Sequence, residues 1–255
     1  MKLEDSVFLI SGAGSGLGAA VAAMAVEAGA RAVLLDVNAD RGEALAAQLG
    51  DAARFALTDV ANPKDGERAV STAIDAFGRI DVLVNCAGVA PGEKIVGREG
   101  PHSLESFART VTVNLVGTFN MLRLAADAMA RQQPGRTGER GVIVNTASVA
   151  AFEGQIGQAG YAASKGGVAA LTLPAARELA RHAIRVMAIA PGIFETPMMA
   201  GMPQDVQDAL GASVPFPPRL GRPSEYAALV RHIVENPMLN GEVIRLDGAL
   251  RMPPR

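Results

Sequence analysis

Ser11-Gly12-Ala13-Gly14-Ser15-Gly16-Leu17-Gly18 is the stretch on which the fold turns. An apolar run over residues 6–11 precedes it and reads as a buried strand. Residues 16–28 follow with helical spacing and are rich in Ala. Glycines between a strand and a helix allow a tight turn and close backbone approach. The exposed N–H groups of the helix can then hold a pyrophosphate. A merely flexible glycine loop needs neither the buried strand nor the helix. Gly12, Gly16 and Gly18 are therefore candidate cofactor contacts.

Outward from this turn, apolar runs of five or six residues alternate with longer amphipathic stretches. Strands are expected at 32–36, 54–57, 82–85, 142–146, 185–190 and 243–246. Helices are expected at 39–49, 63–77, 104–131, 159–182 and 224–235. Pro63 stands at a good helix-opening position. Continuously apolar strands are buried on both faces, and their alternation with helices implies a parallel sheet covered on both sides. The expected class is α/β: a doubly wound, mostly parallel sheet of about seven strands with helices on both faces, of Rossmann type. No linker or repeat divides the chain, so 1–255 reads as one domain. Three loops stand out, at 92–103, 132–140 and 194–222. The last carries five prolines and reads as a substrate loop.

Composition narrows the function. The chain has 255 residues, 49% hydrophobic and 20% charged, which suits a large core. A net charge of −2 with no Trp leaves neither the basic footprint nor the stacking platform of a nucleic-acid binder. One Cys excludes an intramolecular disulfide framework, and three scattered His make a zinc site improbable, so no metal is expected. No run of about 18 apolar residues indicates a membrane span. The N-terminus runs directly into a strand without a leader, and the cytoplasm is the expected compartment.

Asp36 ends the second strand, 18 residues after Gly18. A carboxylate there can accept both hydroxyls of an adenosine ribose and repel a 2′-phosphate. Read alone, it is equally a cap for the next helix. Asp59 and Val60 end the third strand, where a carboxylate and the following N–H could meet adenine. Asn85-Cys86-Ala87-Gly88 ends the fourth, where small residues would let the cofactor lie against the backbone. Cys86 reads as a small buried hydrophobe, not a reactive thiol.

Tyr161 and Lys165 are four apart in a helical segment and share one face. With two Tyr and four Lys in the chain, chance gives this spacing in roughly 3% of cases. A phenol is a poor base at neutral pH. Lowering its pKa by about 3 units needs roughly 4 kcal/mol, which an ammonium and a cationic nicotinamide could supply together. Ser148 follows the fifth strand and could hydrogen-bond a reacting oxygen, though a turn Ser is the plainer reading of it alone. Asn114 sits inside an apolar helix and needs partners. It could open the helix to a water serving Lys165, or be satisfied by a neighbouring loop.

These residues resemble the short-chain dehydrogenase/reductase family, with its Gly-x-x-x-Gly-x-Gly turn, Asn-x-Ala-Gly segment and Asn–Ser–Tyr–Lys tetrad. Ser11 and Cys86 replace the usual Thr and Asn. The resemblance covers the whole chain. It implies catalytic roles for Asn114, Ser148, Tyr161 and Lys165, the last two also touching the cofactor. It implies NAD contacts from Ser15, Leu17, Asp36, Asp59, Val60, Cys86, Phe194 and Thr196. Pro191 with Thr196 would hold the carboxamide end, and Gln158 would face the substrate with Ser148 and Tyr161.

Within the family, residues 117–120, 145–158, 214–217, 219–221, 235–237 and 239–250 resemble members acting on 3-hydroxyacyl-CoA and 17β-hydroxysteroids. That implies NAD-dependent interconversion of a secondary alcohol and a ketone, on short or branched 3-hydroxyacyl-CoA, by a homotetramer. The alternatives are a hydroxysteroid dehydrogenase, a 3-oxoacyl-carrier-protein reductase, or an NAD-binding scaffold without chemistry. Asp36 speaks against the reductase, which usually prefers NADPH. The complete tetrad speaks against the scaffold. Phe194, Met198, Met199, Met202, Val214 and Phe216 offer an apolar lining for an acyl chain, or pack their loop onto the core; Lys94 and Arg98 could meet CoA phosphates, or belong to a solvated polar loop.

Overall fold

Hydrophobic residues on successive strand positions point to opposite faces, and here both faces are covered. In β1 (Val7–Ser11), Phe8 and Ile10 enter one core and Leu9 the other. The computed structural model describes residues 1–98, 100–201 and 203–254. Its further strands are β2 (Arg31–Asp36), β3 (Ala53–Leu57), β4 (Val82–Asn85), β5 (Gly141–Thr146), β6 (Ile184–Pro191) and β7 (Val243–Leu246). They form one sheet in the order β3-β2-β1-β4-β5-β6-β7, with every pairing parallel. The chain winds outward from β1 through β3, then crosses back to lay β4 on the other side of β1. The loops after β1 and β4 therefore part in opposite directions and leave a crevice at the carboxyl edge of the sheet.

The helices are α1 (Gly16–Glu27), α2 (Ala39–Leu49), α3 (Pro63–Phe77), α4 (Leu104–Val111), α5 (Gly117–Arg131), α6 (Ala159–Leu179), α7 (Pro197–Ala200), α8 (Gln204–Ala212) and α9 (Pro223–Glu235). Val21, Ala22 and Ala25 of α1 and Tyr226, Val230 and Ile233 of α9 share one core with Ile10, Leu34 and Val84. Ala69 and Ala73 of α3, Met121 and Ala125 of α5 and Ala176 of α6 share the other with Leu9, Leu83 and Ile143. Side chains mark several helix starts. Asn38 accepts from the Arg41 N–H, Asn62 from Lys64 and Ser103 from Ser106. No helix among the described residues is long and apolar enough to cross a membrane.

The expected strands and most helix ends agree with the structure to within a residue. Two expectations change. The single helix expected at 104–131 is interrupted by a π turn over Thr112–Val116. Asn114 lies inside that turn, and its ties to two other segments hold the extra residue in place. The loop at 194–222 contains α7 and α8, whose short runs leave too little periodicity to be read beforehand.

Gly18 sits where α1 crosses the glycine turn. A Cβ there would run into the carbonyl of Gly12, a backbone atom that cannot step aside. Gly18→Ala should destabilise the fold by about 1–3 kcal/mol through overpacking. Urea unfolding should show a lower midpoint at unchanged slope. An unchanged midpoint would mean that the turn relaxes freely.

Candidate active site

The carboxyl edge of the sheet encloses a cavity of about 980 Å³. Its two ends follow from strand order. Asp36 ends β2 on one side of the switch point, while Ser148 follows β5 on the other.

At the first end, Gly12 has φ +66° and stands so close to β4 that a Cβ would lie 2.7 Å from the Ala87 nitrogen. Gly16 has φ +54°, and a Cβ there would meet the Thr196 methyl at 3.4 Å. Gly12, Ser15, Gly16, Leu17 and Gly18 all line the cavity. Ser15 precedes α1 without capping it by its side chain, and the first turn of α1 holds no acidic residue. The amides of that turn, with the Ser15 hydroxyl beside them, suit an anionic group. Asp36 is fixed at both oxygens, by the Gly14 N–H at 2.9 Å and the Asn38 N–H at 2.9 Å. A carboxylate has lone pairs to spare after two such bonds, so it can also accept ribose hydroxyls. Asp59 and Val60 line the cavity too, with Asp59 accepting from the Ala61 N–H at 2.9 Å. This combination of cradle, open helix end and terminal carboxylate fits a dinucleotide.

Cys86 and Gly88 form part of the floor. Burial pushes the Cys86 thiol up, so it stays neutral. Asn85, expected to meet the cofactor, does not line the cavity. Its amide instead donates to Asn145 at 2.9 Å, inside the sheet.

At the second end, α6 sets Lys165 one turn from Tyr161, with Nζ 5.9 Å from the phenol ring centre. Lys165 is only 3% exposed and donates to the Thr146 carbonyl at 2.6 Å. Burial pulls its pKa down to about 8. Burial also pushes the Tyr161 phenol up, opposed in part by its hydrogen bond with Ser148. The lowered phenol expected from the Tyr–Lys spacing is thus absent from the protein alone. Desolvation sets the direction, and the Lys165 ammonium is turned to the Thr146 carbonyl. Ser148 Oγ accepts from the Ala150 N–H at 3.1 Å, and its own proton is turned toward the Tyr161 phenol. Gln158 lines the same end and accepts from the Gln155 N–H at 3.0 Å. Pro191, Phe194 and Thr196 close the wall after β6.

Asn114, expected among the catalytic groups, stands behind the cavity wall and does not line it. Its Oδ1 accepts from the Val89 N–H at 2.8 Å. Its Nδ2 donates to the Val89 carbonyl at 2.8 Å and to Ser164 Oγ at 3.0 Å. Its backbone carbonyl accepts from the Thr118 hydroxyl at 2.7 Å. The side chain joins the loop after β4 to α6.

The expected apolar lining holds in part. Phe194 and Met199 face the cavity, joined by Leu210. Val214 is buried beneath Gly248, and Phe216 is 79% exposed, so neither lines it. Met202 and the side chain of Met198 lie outside the described residues. Lys94 and Arg98 do not reach the cavity, whereas Arg109 of α4 does. Arg109, Gln155 and Met252 were not singled out in the sequence. None of them belongs to a motif, and only folding brings them to this wall.

The short chain dehydrogenase family model matches residues 6–207. The chain belongs to the short-chain dehydrogenase family. It is 55% identical over 255 residues to 3-hydroxyacyl-CoA dehydrogenase type-2 of Homo sapiens, covering 99% of this chain and 98% of that protein. The crystal structure of 3-hydroxyacyl-CoA dehydrogenase type-2 from Mycobacterium avium is similar with a TM-score of 0.93 at 40% identity, over 98% of this chain and 97% of that one. A 3-ketoacyl-(acyl-carrier-protein) reductase from Brucella melitensis, solved with NADH, gives 0.88 at 32% identity, over 98% and 100%. The protein is an oxidoreductase.

This dehydrogenase has two Tyr and no Trp, so tyrosinate absorbance reports on very few groups. Tyr226 is fully buried and raised well above the usual phenol range. Without cofactor, neither tyrosine should ionise below about pH 10. With an oxidised nicotinamide dinucleotide bound, the added positive charge should let one ionise at lower pH, and Tyr161→Phe should abolish that step. Identical titrations with and without the dinucleotide would show that the bound cation does not act on the phenol.

Proposed function

We propose that this dehydrogenase uses NAD to interconvert short or branched 3-hydroxyacyl-CoA and 3-oxoacyl-CoA. The observation that carries the reading is one cavity with Asp36 at one end and the paired hydroxyls of Ser148 and Tyr161 at the other. When bound, NAD supplies the hydride acceptor; the chain supplies binding, proton transfer and charge. The turn at Gly12–Gly18 and the α1 amides would hold the pyrophosphate, and Asp36 the adenosine ribose. A 2′-phosphate would stand against the Asp36 carboxylate, which favours NAD over NADP. Tyr161 takes the proton from the substrate hydroxyl, or returns it in reduction. Ser148 donates a hydrogen bond to the same oxygen, its acceptor side already occupied by the Ala150 N–H. Lys165 would hold the nicotinamide ribose with the N–H groups not given to Thr146.

The choice of acyl-CoA rests on the two 3-hydroxyacyl-CoA dehydrogenases similar to this chain and on the apolar wall of Phe194, Met199 and Leu210. Hydroxysteroids are the second substrate class proposed. Assembly as a homotetramer is supported by apolar side chains left exposed on the helices: Leu104 (80%), Val116 and Phe119, and Leu173 on α6. The cytoplasm is the compartment proposed.

Purified enzyme should consume NADH with acetoacetyl-CoA and prefer NAD to NADP by at least tenfold in kcat/KM, about 1.4 kcal/mol. Asp36→Ala should narrow that gap. Tyr161→Phe should keep NAD binding and lose turnover by about 10²-fold or more, while Lys165→Ala should weaken both. Steroid oxidation with no acetoacetyl-CoA reduction would overturn the substrate, and equal use of the two cofactors would overturn the role of Asp36. Light scattering at micromolar concentration should give a tetramer mass; a monomer would contradict the assembly.

A further inference from the structure

The segment after β7 folds back onto the loop that joins Ser148 to Tyr161, and an ion-pair cluster fixes it there. Arg245 of β7 donates to both oxygens of Glu153, at 2.9 and 3.0 Å, and to Asp247 at 2.7 Å. Its guanidinium lies 5.6 Å from the Phe152 ring centre, and it also holds the Leu250 carbonyl at 3.0 Å. Arg251 pairs with Asp247 at 3.2 Å and with Glu153 at 3.3 Å. Two-oxygen recognition of a carboxylate by arginine fixes direction as well as distance.

Three further bonds continue the seam. The Met252 N–H donates to Glu153 at 3.2 Å. Gln155 Nε2 donates to the Pro253 carbonyl at 3.0 Å, and the Ile156 N–H to the Pro254 carbonyl at 3.0 Å. Half-buried Met252 thereby joins Gln155 and Gln158 in the cavity wall. The reacting oxygen belongs between Ser148 and Tyr161, and Gln155 and Gln158, from the stretch between them, line the cavity together with Met252. A substituent on the carbinol carbon that lies along this wall meets Met252.

We propose that Met252 is a specificity-determining residue that limits the length of acyl chain the pocket accepts, and that Glu153 and Arg245 are its positioning residues. The proposal rests on the reading of the cavity as an acyl-ester pocket. Met252 differs from Met199 and Leu210, which come from α7 and α8 of the loop at 194–222. It is anchored to the sheet through Arg245 and Glu153, independently of that loop. A thioether side chain is flexible enough to pack against short or branched chains, yet it takes up space a longer chain would need.

The test compares kcat/KM for 3-oxodecanoyl-CoA and acetoacetyl-CoA in folded variants, checked by thermal unfolding. Met252→Ala should raise the ratio of long to short about tenfold, and Met252→Phe should lower it by a similar factor, as expected for adding or removing a few methylene-sized contacts. KM for NADH should not move in either. Glu153→Ala should raise KM for both esters with kcat retained. Glu153→Gln should restore part of it, because its one carbonyl oxygen can still accept from the Met252 N–H and one Arg245 N–H. A ratio within about twofold of wild type in both Met252 variants overturns the proposal while leaving the acyl-ester reading intact. A wild type that turns over neither ester overturns that reading, and this proposal with it.

Discussion

Between the ends of β1 and β4 the backbone passes so close to itself that Gly12 has no room for a β-carbon. That contact forces a glycine, a positive φ and a tight turn at the switch point of the sheet. It also aims the start of α1 at the crevice, where Ser15, Gly16, Leu17 and Gly18 line the cavity. Gly18 then allows α1 to lie on the turn, and the Gly14 N–H fixes Asp36 on the neighbouring strand. One steric constraint thus places the whole dinucleotide end of the cavity. The other end inherits its position, because β4 and β5 are paired in register up to Asn85 and Asn145.

The catalytic end depends on burying an ammonium. Lys165 would be costly to bury without a partner, and the Thr146 carbonyl supplies one. Thr146 is itself held at the strand end, its hydroxyl 2.5 Å from the Asn85 carbonyl and 2.8 Å from Tyr226 Oη. The same desolvation acts on both members of the Tyr–Lys pair, favouring the neutral phenol and weakening the ammonium. A site so arranged gives the bound cofactor a large part in deciding which proton moves.

Local spacing explains what could be read beforehand. The glycine turn and the Tyr161–Lys165 pair declare themselves within eight residues or fewer, and the apolar runs mark all seven strands. Where partners lie far apart in sequence, local spacing does not show them. Asn114 looked like a site residue, but its partners Val89 and Ser164 are 25 and 50 positions away and consume its side chain. Asn85 looked like a cofactor contact, but Asn145 takes its amide from 60 positions away. Met252 carried no signal at all, because its seat depends on Glu153, 99 positions earlier. Lys94 and Arg98 seemed placed for phosphate because their loop follows β4. The folded loop leaves them off the cavity, and Arg109 of α4 faces it instead.

The π turn around Asn114 has a mechanical meaning. Its side chain grips the backbone of Val89 on one side and Ser164, the neighbour of Lys165, on the other. The loop after β4 and the helix bearing Tyr161 and Lys165 are therefore riveted together. One side chain thus fixes the spacing between the loop after β4 and α6, at a place where, among the described residues, no regular hydrogen-bond ladder joins them.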